Sequence, residues 1–404
     1  MKTIKSENNQ ISLFEGKNRL KIEKPIRLIE LFAGIGAQAK ALENLGIKFE
    51  HSRICEFDKY AVASYNAVHG TEFTTSDITK IHAADLGIVE TDKYEYIMTY
   101  SFPCTDLSKA GKQKGMSRES GTRSGLLWEV ERLLKETKEL PDVLIMENVP
   151  QVLKANGWYE WCEFLENLGY NNYAEVINAK RFGIPQNRER CFMVSILGDY
   201  SYNFPKGFEL KYRLKDLLEE NVDEKYYLSE KMVIYISASN QKWTGNNNGA
   251  FINKDIASTL NTAEGSRRCD ASNYVSNDLP GNFDLQDTKV IGKIEEWHQQ
   301  DRIYDSESIA MAHPANLPGG SYKYQVNIPP LRIRKLTPKE CYRLMGVKDE
   351  DFKKVNKNQL DSSLYHLAGD SIVTTCLMAI FGELLSVDYK TKINDLVNHI
   401  VKND

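Results

Sequence analysis

Short apolar runs alternate with amphipathic segments between residues 26 and 197, and this alternation limits the folds that the chain can adopt. The apolar runs predict strands at 26–31, 49–56, 96–100, 143–146 and 191–196. The segments between them have the apolar spacing of helices, at 37–45, 61–69, 126–137 and 159–168. Because strands that alternate with helices at this spacing are typical of parallel sheets with helices on both faces, we predict an α/β fold with a doubly wound lobe.

The rest of the 404-residue chain differs in character from this lobe, and a chain of this length is expected to hold more than one domain. Within residues 198–330, the stretch 237–287 is rich in Asn, Ser and Gly. This composition fits either a partly disordered linker or a loop-rich recognition lobe. Helical character returns after position 331. We predict an N-terminal arm at 1–25, the α/β lobe at 26–197, a smaller loop-rich lobe at 198–330, a return segment that completes the α/β lobe at 331–388, and a tail at 389–404.

Composition narrows the class of protein. Hydrophobic residues make up 41% and charged residues 27% of the chain, which is typical of globular proteins. The formal net charge of −4 means that an anionic partner would have to bind a local basic patch. No run approaches the roughly 18 apolar residues that span a bilayer, and the N-terminus lacks an apolar signal core, so we expect a cytoplasmic protein with no membrane partner. The seven cysteines form no CxxC pair, so we expect reduced thiols and no bound metal.

A glycine turn follows the first predicted strand. Gly34, Gly36 and Ala39 fit the pattern G-x-G-x-x-[G/A], and Glu56 ends the second predicted strand. Glycines allow the backbone to turn tightly and approach a cofactor, while a carboxylate at a strand end can accept hydrogen bonds from both ribose hydroxyls. This pattern does not separate a nicotinamide site from an S-adenosylmethionine site, and a plain tight turn also explains it.

Two further pairs of residues fit an adenine site. Asp77 offers an acceptor for an adenine amino group and Ile78 an apolar wall, although Asp77 equally fits the cap of a turn. Phe32 and Phe57 are placed to sandwich an adenine ring, although phenylalanines near strand ends are more often part of the core.

Cys104 follows the third predicted strand, directly after Pro103, at the edge of the sheet where α/β proteins place functional loops. A lone cysteine is usually a small buried hydrophobic residue. Here the segment 105–125 is rich in glycine and basic, and nearby positive charge favours the nucleophilic thiolate. Its basic residues, which suit contacts with phosphates, are Lys109, Lys112, Lys114, Arg118 and Arg123.

Two polar motifs lie at the ends of the later strands. Glu147 and Asn148 follow the fourth predicted strand, so the carboxyl group emerges on the same sheet edge as Cys104, and a buried glutamic acid can donate a hydrogen bond. Gln186, Arg188 and Arg190 lead into the last strand. Arginines that enter an apolar strand need acceptors, which favours a ligand or carboxylate partner over a solvated charge run.

In this order, the motifs resemble those of the DNA (cytosine-5)-methyltransferase family in its bacterial and phage form, the restriction-modification type. The motifs are Phe32-x-Gly34-x-Gly36, Pro103-Cys104, Glu147-Asn148-Val149 and Gln186-x-Arg188-x-Arg190. Residues 334–341 and 368–372 resemble the family's ninth and tenth blocks, and Thr259-Leu260 resembles the signature of its target recognition domain. Each motif alone is weak, but their order over residues 26–385 is specific.

The resemblance implies a Rossmann-like, S-adenosylmethionine-dependent catalytic domain at 26–197 and a target recognition domain at 198–330. The residues it assigns to the cofactor are Phe32, Gly34, Gly36, Glu56, Phe57, Asp77, Ile78, Pro103, Leu126, Asp370, Ser371 and Ile372. Two positions depart from the family pattern. Thr105 stands where the family usually has Gln, which affects loop contacts with DNA, and Asp370 stands where the tenth block has Asn, which affects one polar contact with the cofactor.

The resemblance also implies a reaction in which Cys104 adds to C6 of cytosine while Glu147 stabilises the charge at N3. Asn148 would hold its loop, Arg190 would contact O2 of the base, and Arg188 would support the surroundings of Cys104 and a phosphate. The implied catalytic set is Cys104, Pro103, Glu147, Asn148, Arg188 and Arg190. Because stacking covers C6 inside a duplex, the base must be flipped out.

The implied partner is double-stranded DNA, and a cognate restriction endonuclease would be a functional rather than a physical partner. Independently of the resemblance, we expect a monomer on the DNA. The implied DNA contacts are Ser108, Lys109, Lys112, Lys114, Arg123, Gln186, Arg267 and Arg268. Basic residues at 332, 334, 335, 339 and 343 would extend the phosphate clamp, and Asn273 is a further candidate for reading bases.

Three alternatives stay open on the sequence alone. A tRNA cytosine-5 methyltransferase shares the chemistry but usually has a shorter recognition region. A nicotinamide dehydrogenase explains the glycine turn but leaves Cys104, Glu147 and Arg190 without a role. A catalytically silent DNA-binding module would not need the cofactor site and the thiol together.

Overall fold

The computed structural model describes most of the chain. The described residues are 18–104, 107, 116, 118, 123–229, 251–252, 254–262, 264, 273–276, 283–284, 290–293, 302–304, 332–357 and 359–402. They fall into two compact units. The first unit comprises the described residues of Met1–Gly183, Glu189–Glu209 and Ser371–Val397, and the second those of Ile184–Arg188, Leu210–Asp370 and Asn398–Asp404.

The first unit is built on a six-stranded mixed sheet. Its strands are β1 (Ile26–Leu31), β2 (Phe49–Cys55), β3 (Glu95–Tyr100), β4 (Val143–Asn148), β5 (Tyr170–Asn178) and β6 (Glu189–Leu197). Their order in the sheet is β2-β1-β3-β4-β6-β5. β1, β2, β3 and β4 run parallel, whereas β6 pairs antiparallel with both β4 and β5. The α/β fold class predicted from the alternation is confirmed.

The sequence analysis did not predict β5, and the partial burial of this strand explains why. The strand Tyr170–Asn178 lies at the edge of the sheet, and most of its residues are half-buried or exposed. Edge strands with one solvated side carry polar residues and therefore lack the continuous apolar run by which the buried strands were found. The five predicted strands are all present, with ends that differ by a few residues.

Helices cover the sheet of the first unit. They are α1 (Ala37–Leu45), α2 (Lys59–His69), α3 (Leu127–Glu136) and α4 (Trp158–Asn167), and further along the chain α8 (Thr374–Leu385) and α9 (Tyr389–Lys402), whose last residues belong to the second unit. α1 packs against α8, and the main core cluster joins apolar side chains of the central strands to those of α3 and α4. Because the strand ends and helix starts meet at one edge of the sheet, the predicted functional loops gather there.

The second unit contains α5 (Pro338–Arg343), α6 (Asp349–Asn356) and α7 (Asp361–Asp370) together with short strands. Four strands form a sheet in the order Phe283–Asp284, Phe251–Ile252, Tyr274–Val275 and Arg334–Lys335. Two pairs are separate: Ala257–Ser258 with Gln186–Asn187, and Val290–Lys293 with Arg302–Tyr304. In the first unit, the strands Asn18–Arg19 and Tyr200–Ser201 also pair. The strands between 251 and 304 favour a folded lobe over a linker.

The division into units differs from the predicted domain boundaries. Residues 332–370 group with the second unit, and only Ser371–Val397 returns to the first. The predicted functional domains at 26–197, 198–330 and 331–388 stay a prediction, since compactness alone does not assign a function to a segment.

One apolar stretch resembles a membrane span by length and composition. It is Asp361–Leu384, and 89% of its most apolar window is buried inside the protein. The stretch forms two helices, α7 and α8, which are separated by residues 371–373. Burial of this extent is typical of core helices.

Candidate active site

The glycine turn joins β1 to α1 and is held by a carboxylate from the end of β2. Phe32, Gly34 and Gly36 all have positive φ, at 57°, 55° and 81°. Glu56 accepts hydrogen bonds from the backbone N–H of Gly34 at 2.9 Å and of Asp58 at 2.8 Å. Burial raises the pKa of Glu56 above its usual range. A Cβ at Gly34 would meet open space, so the backbone of this turn can be approached closely by a ligand.

A polar network lies behind the turn. Buried Glu30 accepts a hydrogen bond from the hydroxyl of Tyr65 and one from the N–H of Ala39 at 3.2 Å. His51 Nδ1 lies 2.8 Å from the Tyr65 hydroxyl. A Cβ at Gly36 would lie 2.3 Å from His69 Nε2 and 2.7 Å from the Tyr65 ring, so these side chains occupy the space that any other residue would need.

The same network contains residue types that bind metals. Among the described residues, Glu43, His51 and His69 offer ligand atoms within 4.8 Å of one another. His69 Nδ1 lies 2.6 Å from Glu43, which also pairs with Lys40 at 2.7 Å. These contacts already link α1 to α2, and they support the glycine turn from behind.

An open cleft of about 660 Å³ lies beside the turn, at the start of α2. Its lining residues are Phe57, Asp58, Lys59, Tyr60, Thr75, Ser76, Asp77 and Lys80. Phe57 is 78% exposed and presents its ring to solvent, whereas Phe32 packs partly against the core. The cleft therefore has an aromatic wall and polar groups, which suits a nucleoside.

The residues predicted to contact adenine differ in their surroundings. Asp77 accepts hydrogen bonds from the N–H and hydroxyl of Thr79, at 3.0 and 2.8 Å, so it caps a turn while lining the cleft. The hydrogen bond from the Thr79 side chain lowers the pKa of Asp77. Ile78 is 5% exposed and belongs to the core, so little of its surface is available to a ligand.

Cys104 lies just beyond the end of β3 and is half-buried. Two side chains hold the backbone before it: Asn148 donates to the carbonyl of Phe102 at 2.9 Å, and Ser124 donates to the carbonyl of Pro103 at 2.8 Å. The other cysteines that the structure describes are all buried: Cys55, Cys162, Cys191, Cys341 and Cys376. Of these thiols, only that of Cys104 is in reach of a large substrate.

Glu147 and Arg190 meet on neighbouring antiparallel strands. Glu147 is the second-to-last residue of β4, where it is paired in register with Phe192 of β6. The guanidinium Nε of Arg190 lies 3.2 Å from the Glu147 carboxylate, and the two side chains are 17% and 11% exposed. The structure thus supplies the carboxylate partner that the sequence predicted for an arginine entering this strand. All four of these predicted catalytic residues belong to the first unit: Cys104, Glu147, Asn148 and Arg190.

Gln186 and Arg188 belong to the second unit, where they bond to backbone carbonyls. Arg188 is 3% exposed and donates to Leu260 at 2.9 Å and to Gly369 at 2.8 Å. Gln186 is fully buried and donates to the carbonyl of Leu344 at 2.9 Å. Both side chains thus have partners inside the unit, and the DNA contact predicted for Gln186 and the phosphate contact predicted for Arg188 stay predictions.

Other polar residues of the second unit are likewise used internally. Arg334 pairs with Glu340 at 2.8 Å, and Arg343 with Asp349 at 2.7 Å; both arginines are buried. Asn273 is 1% exposed. The predicted roles of these three residues in the phosphate clamp and in base reading are corrected, because burial removes them from a DNA surface.

The remaining predicted residues fall into two groups. Arg123 is exposed, Asp370 lies 3.2 Å from His366, and Ser371 and Ile372 are buried. The other predicted DNA contacts lie outside the described residues: Ser108, Lys109, Lys112, Lys114, Arg267 and Arg268. The sequence reading missed Ser124 and Lys59, although Ser124 lies within the basic segment 105–125 and Lys59 follows Glu56 by three positions.

Comparison with known proteins identifies the family to which this fold and site belong. Residues 26–386 match the model of the C-5 cytosine-specific DNA methylases, so the chain belongs to that family. The chain is a DNA (cytosine-5)-methyltransferase, and S-adenosylmethionine is its methyl donor. The resemblance found in the motifs is confirmed, and the dehydrogenase alternative is wrong.

Individual relatives align with this chain over nearly their whole length. The chain is 30% identical to type II methyltransferase M2.ScrFI of Lactococcus lactis subsp. cremoris, covering 89% of this chain and 99% of that protein. It is 31% identical to the orphan methyltransferase M.SssI of Spiroplasma monobiae, covering 89% and 97%. Two solved structures share the fold: S. pombe Dnmt2 methyltransferase (TM-score 0.61, 20% identity, 89% and 98% covered) and Entamoeba histolytica methyltransferase EhMeth (TM-score 0.66, 16% identity, 90% and 99% covered).

Proposed function

We propose that Cys104 is the nucleophile of the methyl transfer and that it acts on a cytosine flipped out of double-stranded DNA. C5 of cytosine is a poor nucleophile, so electrons must be supplied to the ring before C5 can accept a methyl group. The Cys104 thiolate forms a bond to C6, and the π electrons of the C5–C6 double bond shift to C5, with charge delocalised through C4 onto N3. The single observation that carries this proposal is the position of half-buried Cys104 just beyond the end of β3, on the sheet edge that also bears Glu147.

Glu147 and Arg190 fit the two polar edges of the base. Glu147 donates a proton or hydrogen bond to N3 as negative charge develops there, and Arg190 donates to O2. Their mutual contact of 3.2 Å orients both side chains before the base arrives. Their low exposure strengthens such hydrogen bonds because little water competes for them.

The residues around the cleft fit the cofactor. When bound, S-adenosylmethionine supplies an electrophilic methyl group to C5. Glu56 would accept hydrogen bonds from the ribose hydroxyls, the open backbone at Gly34 would allow close approach of the cofactor, and Phe57 would offer its ring to adenine. Phe32, Gly36, Asp77, Pro103 and Leu126 complete the proposed site in the first unit, together with Ile78, Ser371 and Ile372; Asp370 belongs to the second unit.

After the transfer, a base such as water or hydroxide removes the C5 proton. The C–H electron pair re-forms the C5–C6 double bond, and the C6–S bond breaks with its electrons returning to sulfur. Asn148 keeps the backbone before Cys104 in place throughout, through its hydrogen bond to Phe102. The products are 5-methylcytosine, S-adenosylhomocysteine, the free thiolate, and the C5 proton, now on the base that removed it.

DNA binding is proposed to use the basic segment after Cys104 and residues of 198–330. Exposed Arg123 contacts phosphate, as do Ser108, Lys109, Lys112 and Lys114, while Arg267 and Arg268 read bases. The proposed enzyme binds DNA as a monomer, and its proposed location is the cytoplasm. One relative carries the name of a type II enzyme and another that of an orphan enzyme, so a restriction endonuclease is proposed only as a functional partner.

Covalent trapping tests the nucleophile. Cys104→Ser is expected to abolish transfer of a labelled methyl group, and the wild type is expected to form a denaturation-resistant adduct with DNA that contains 5-fluorocytosine, because fluorine at C5 blocks the final elimination. Cys162→Ser is the matched control, since this buried thiol has no role in the proposed reaction. Wild-type turnover by Cys104→Ser, or a missing adduct, would overturn the proposal. Bisulfite sequencing of DNA from a methylation-free host identifies the methylated site.

A further inference from the structure

Arg118 lies in the basic segment that follows Cys104, yet its guanidinium is engaged by the protein. It stacks on the ring of Trp128 at 4.0 Å from the centroid. Its Nη2 lies 2.5 Å from Glu131 of α3, and its Nε lies 2.5 Å from Glu160 of α4. The contact with Glu160 is a hydrogen bond between charged groups, and such a bond combined with stacking is among the strongest interactions that an arginine makes.

The charges of this cluster are balanced. Glu131 is buried, with a side chain 3% exposed, and it also lies 2.5 Å from Lys135. Arg118 and Lys135 therefore face two carboxylates, those of Glu131 and Glu160. The two carboxylates offset the two cations, so a DNA phosphate would meet no net positive charge at Arg118, even though its side chain is 43% exposed.

A neighbouring residue of the same segment is fixed at the same place. Met116 is fully buried, and its carbonyl accepts a hydrogen bond from Trp128 Nε1 at 2.8 Å. Gly157, which has a φ of 101°, leaves the space for this contact: a Cβ there would lie 3.1 Å from the Trp128 ring and 3.4 Å from the Met116 carbonyl. Two positions of the segment, 116 and 118, are thus docked on α3 and α4.

We propose that Arg118 is a positioning residue for DNA binding and not a phosphate ligand. With Met116, it fixes the chain at positions 116 and 118 to α3 and α4, and the DNA binding proposed for the basic segment depends on that fixed point. The inference rests on the proposed DNA-binding role of this segment. It separates Arg118 from the other basic residues with which the sequence grouped it.

Salt-dependent DNA binding distinguishes the two roles. The probe is a duplex that carries the site identified by bisulfite sequencing, and its affinity is measured by fluorescence anisotropy at several salt concentrations. The variants are Arg118→Met and Glu160→Gln. Glu163→Gln is the matched control, because Glu163 lies exposed on the same helix and its substitution changes the net charge equally.

A positioning role predicts that Arg118→Met and Glu160→Gln both weaken binding, by about fivefold, with an unchanged slope of log K against log salt concentration. The KM for DNA rises in both, and the KM for S-adenosylmethionine does not change. Glu163→Gln binds as the wild type does or slightly more tightly.

A phosphate contact predicts the opposite pattern. Arg118→Met would then reduce the slope by about one, and Glu160→Gln would bind DNA more tightly because a competing carboxylate is gone. Either result, or wild-type affinity in both variants, would overturn the inference. Should Arg118→Met fail to fold, Glu160→Gln alone decides, since Glu160 is half-exposed. Binding requires no chemistry, so a failure of the Cys104 proposal leaves this measurement valid.

Discussion

At the scale of single residues, the site depends on side chains that hold the backbone rather than on the reacting groups alone. Asn148 is 2% exposed and uses both ends of its amide: Nδ2 donates to the carbonyl of Phe102 at 2.9 Å, and Oδ1 accepts from the N–H of Val149 at 2.8 Å. The sequence indicated this residue by motif. Only the structure shows what it holds.

Asn148→Asp keeps the shape of the side chain but removes its donor. A carboxylate oxygen would then face the carbonyl of Phe102, and the turn before Cys104 would shift. We expect kcat to fall roughly 30-fold, since a lost buried hydrogen bond costs about 2 kcal/mol. Binding of S-adenosylmethionine, measured by calorimetry, should stay within twofold. Unchanged kcat would show that the bond to Phe102 does not position Cys104.

Gly36 and Gly46 form a matched pair for a second prediction, because both flank α1 and both have φ near 80°. Alanine at either position costs about 1 kcal/mol of backbone strain. Only at Gly36 would the methyl group also clash, with His69 and Tyr65. We expect Gly36→Ala to weaken S-adenosylmethionine binding more than tenfold and Gly46→Ala to leave it unchanged, both by calorimetry. Equal losses would mean that strain, and not the clash, governs the turn.

At the scale of elements, the network behind the turn joins β1, α1 and α2 through Glu30. Its carboxylate meets the hydroxyl of Tyr65 on α2 and the backbone of Ala39 on α1. The other titratable groups of this network are Tyr65, His69, His51 and Glu43. Burial raises the pKa of Glu30 to about 7. The packing of these three elements is therefore sensitive to pH.

The stability that Glu30 contributes falls as the pH rises. Because the folded protein holds the Glu30 proton up to a pKa of about 7, the contribution of this group to stability is complete below its ordinary pKa and is lost as the pH rises through 7. Glu30→Gln should remove this fall, which is of order 3 kcal/mol at most. Urea unfolding at pH 5 and pH 8 measures the difference between wild type and variant. Parallel behaviour of the two proteins would contradict the role of Glu30.

At the scale of the whole molecule, a chain of net charge −4 must bind DNA through local positive charge. The candidates in the segment after Cys104 are no longer equivalent, since Arg118 is paired within the protein. Lys112→Ala is expected to reduce the slope of log K against log salt concentration by about one and to weaken binding at low salt. Anisotropy titrations with the same duplex measure both quantities. An unchanged slope would remove Lys112 from the phosphate contacts.

The sequence by itself determined the class of fold, the glycine turn, and the order of Cys104, Glu147 and Arg190 along the sheet edge. These features are local: apolar periodicity reports burial within an element, and strand ends place motif residues on one edge. The sequence was also enough to identify the family, because several weak motifs that occur in the same order as in the family are together specific for it.

Only the tertiary structure decided the partners of the charged and polar residues. Gln186 and Arg188 bond to carbonyls far away in sequence, and Arg118 meets carboxylates on two different helices. Nothing in the neighbouring sequence distinguishes such an arginine from a phosphate ligand. The reason is physical: the free energy of a charge depends on the groups and the solvent within a few ångströms of it, and packing between distant segments sets those distances.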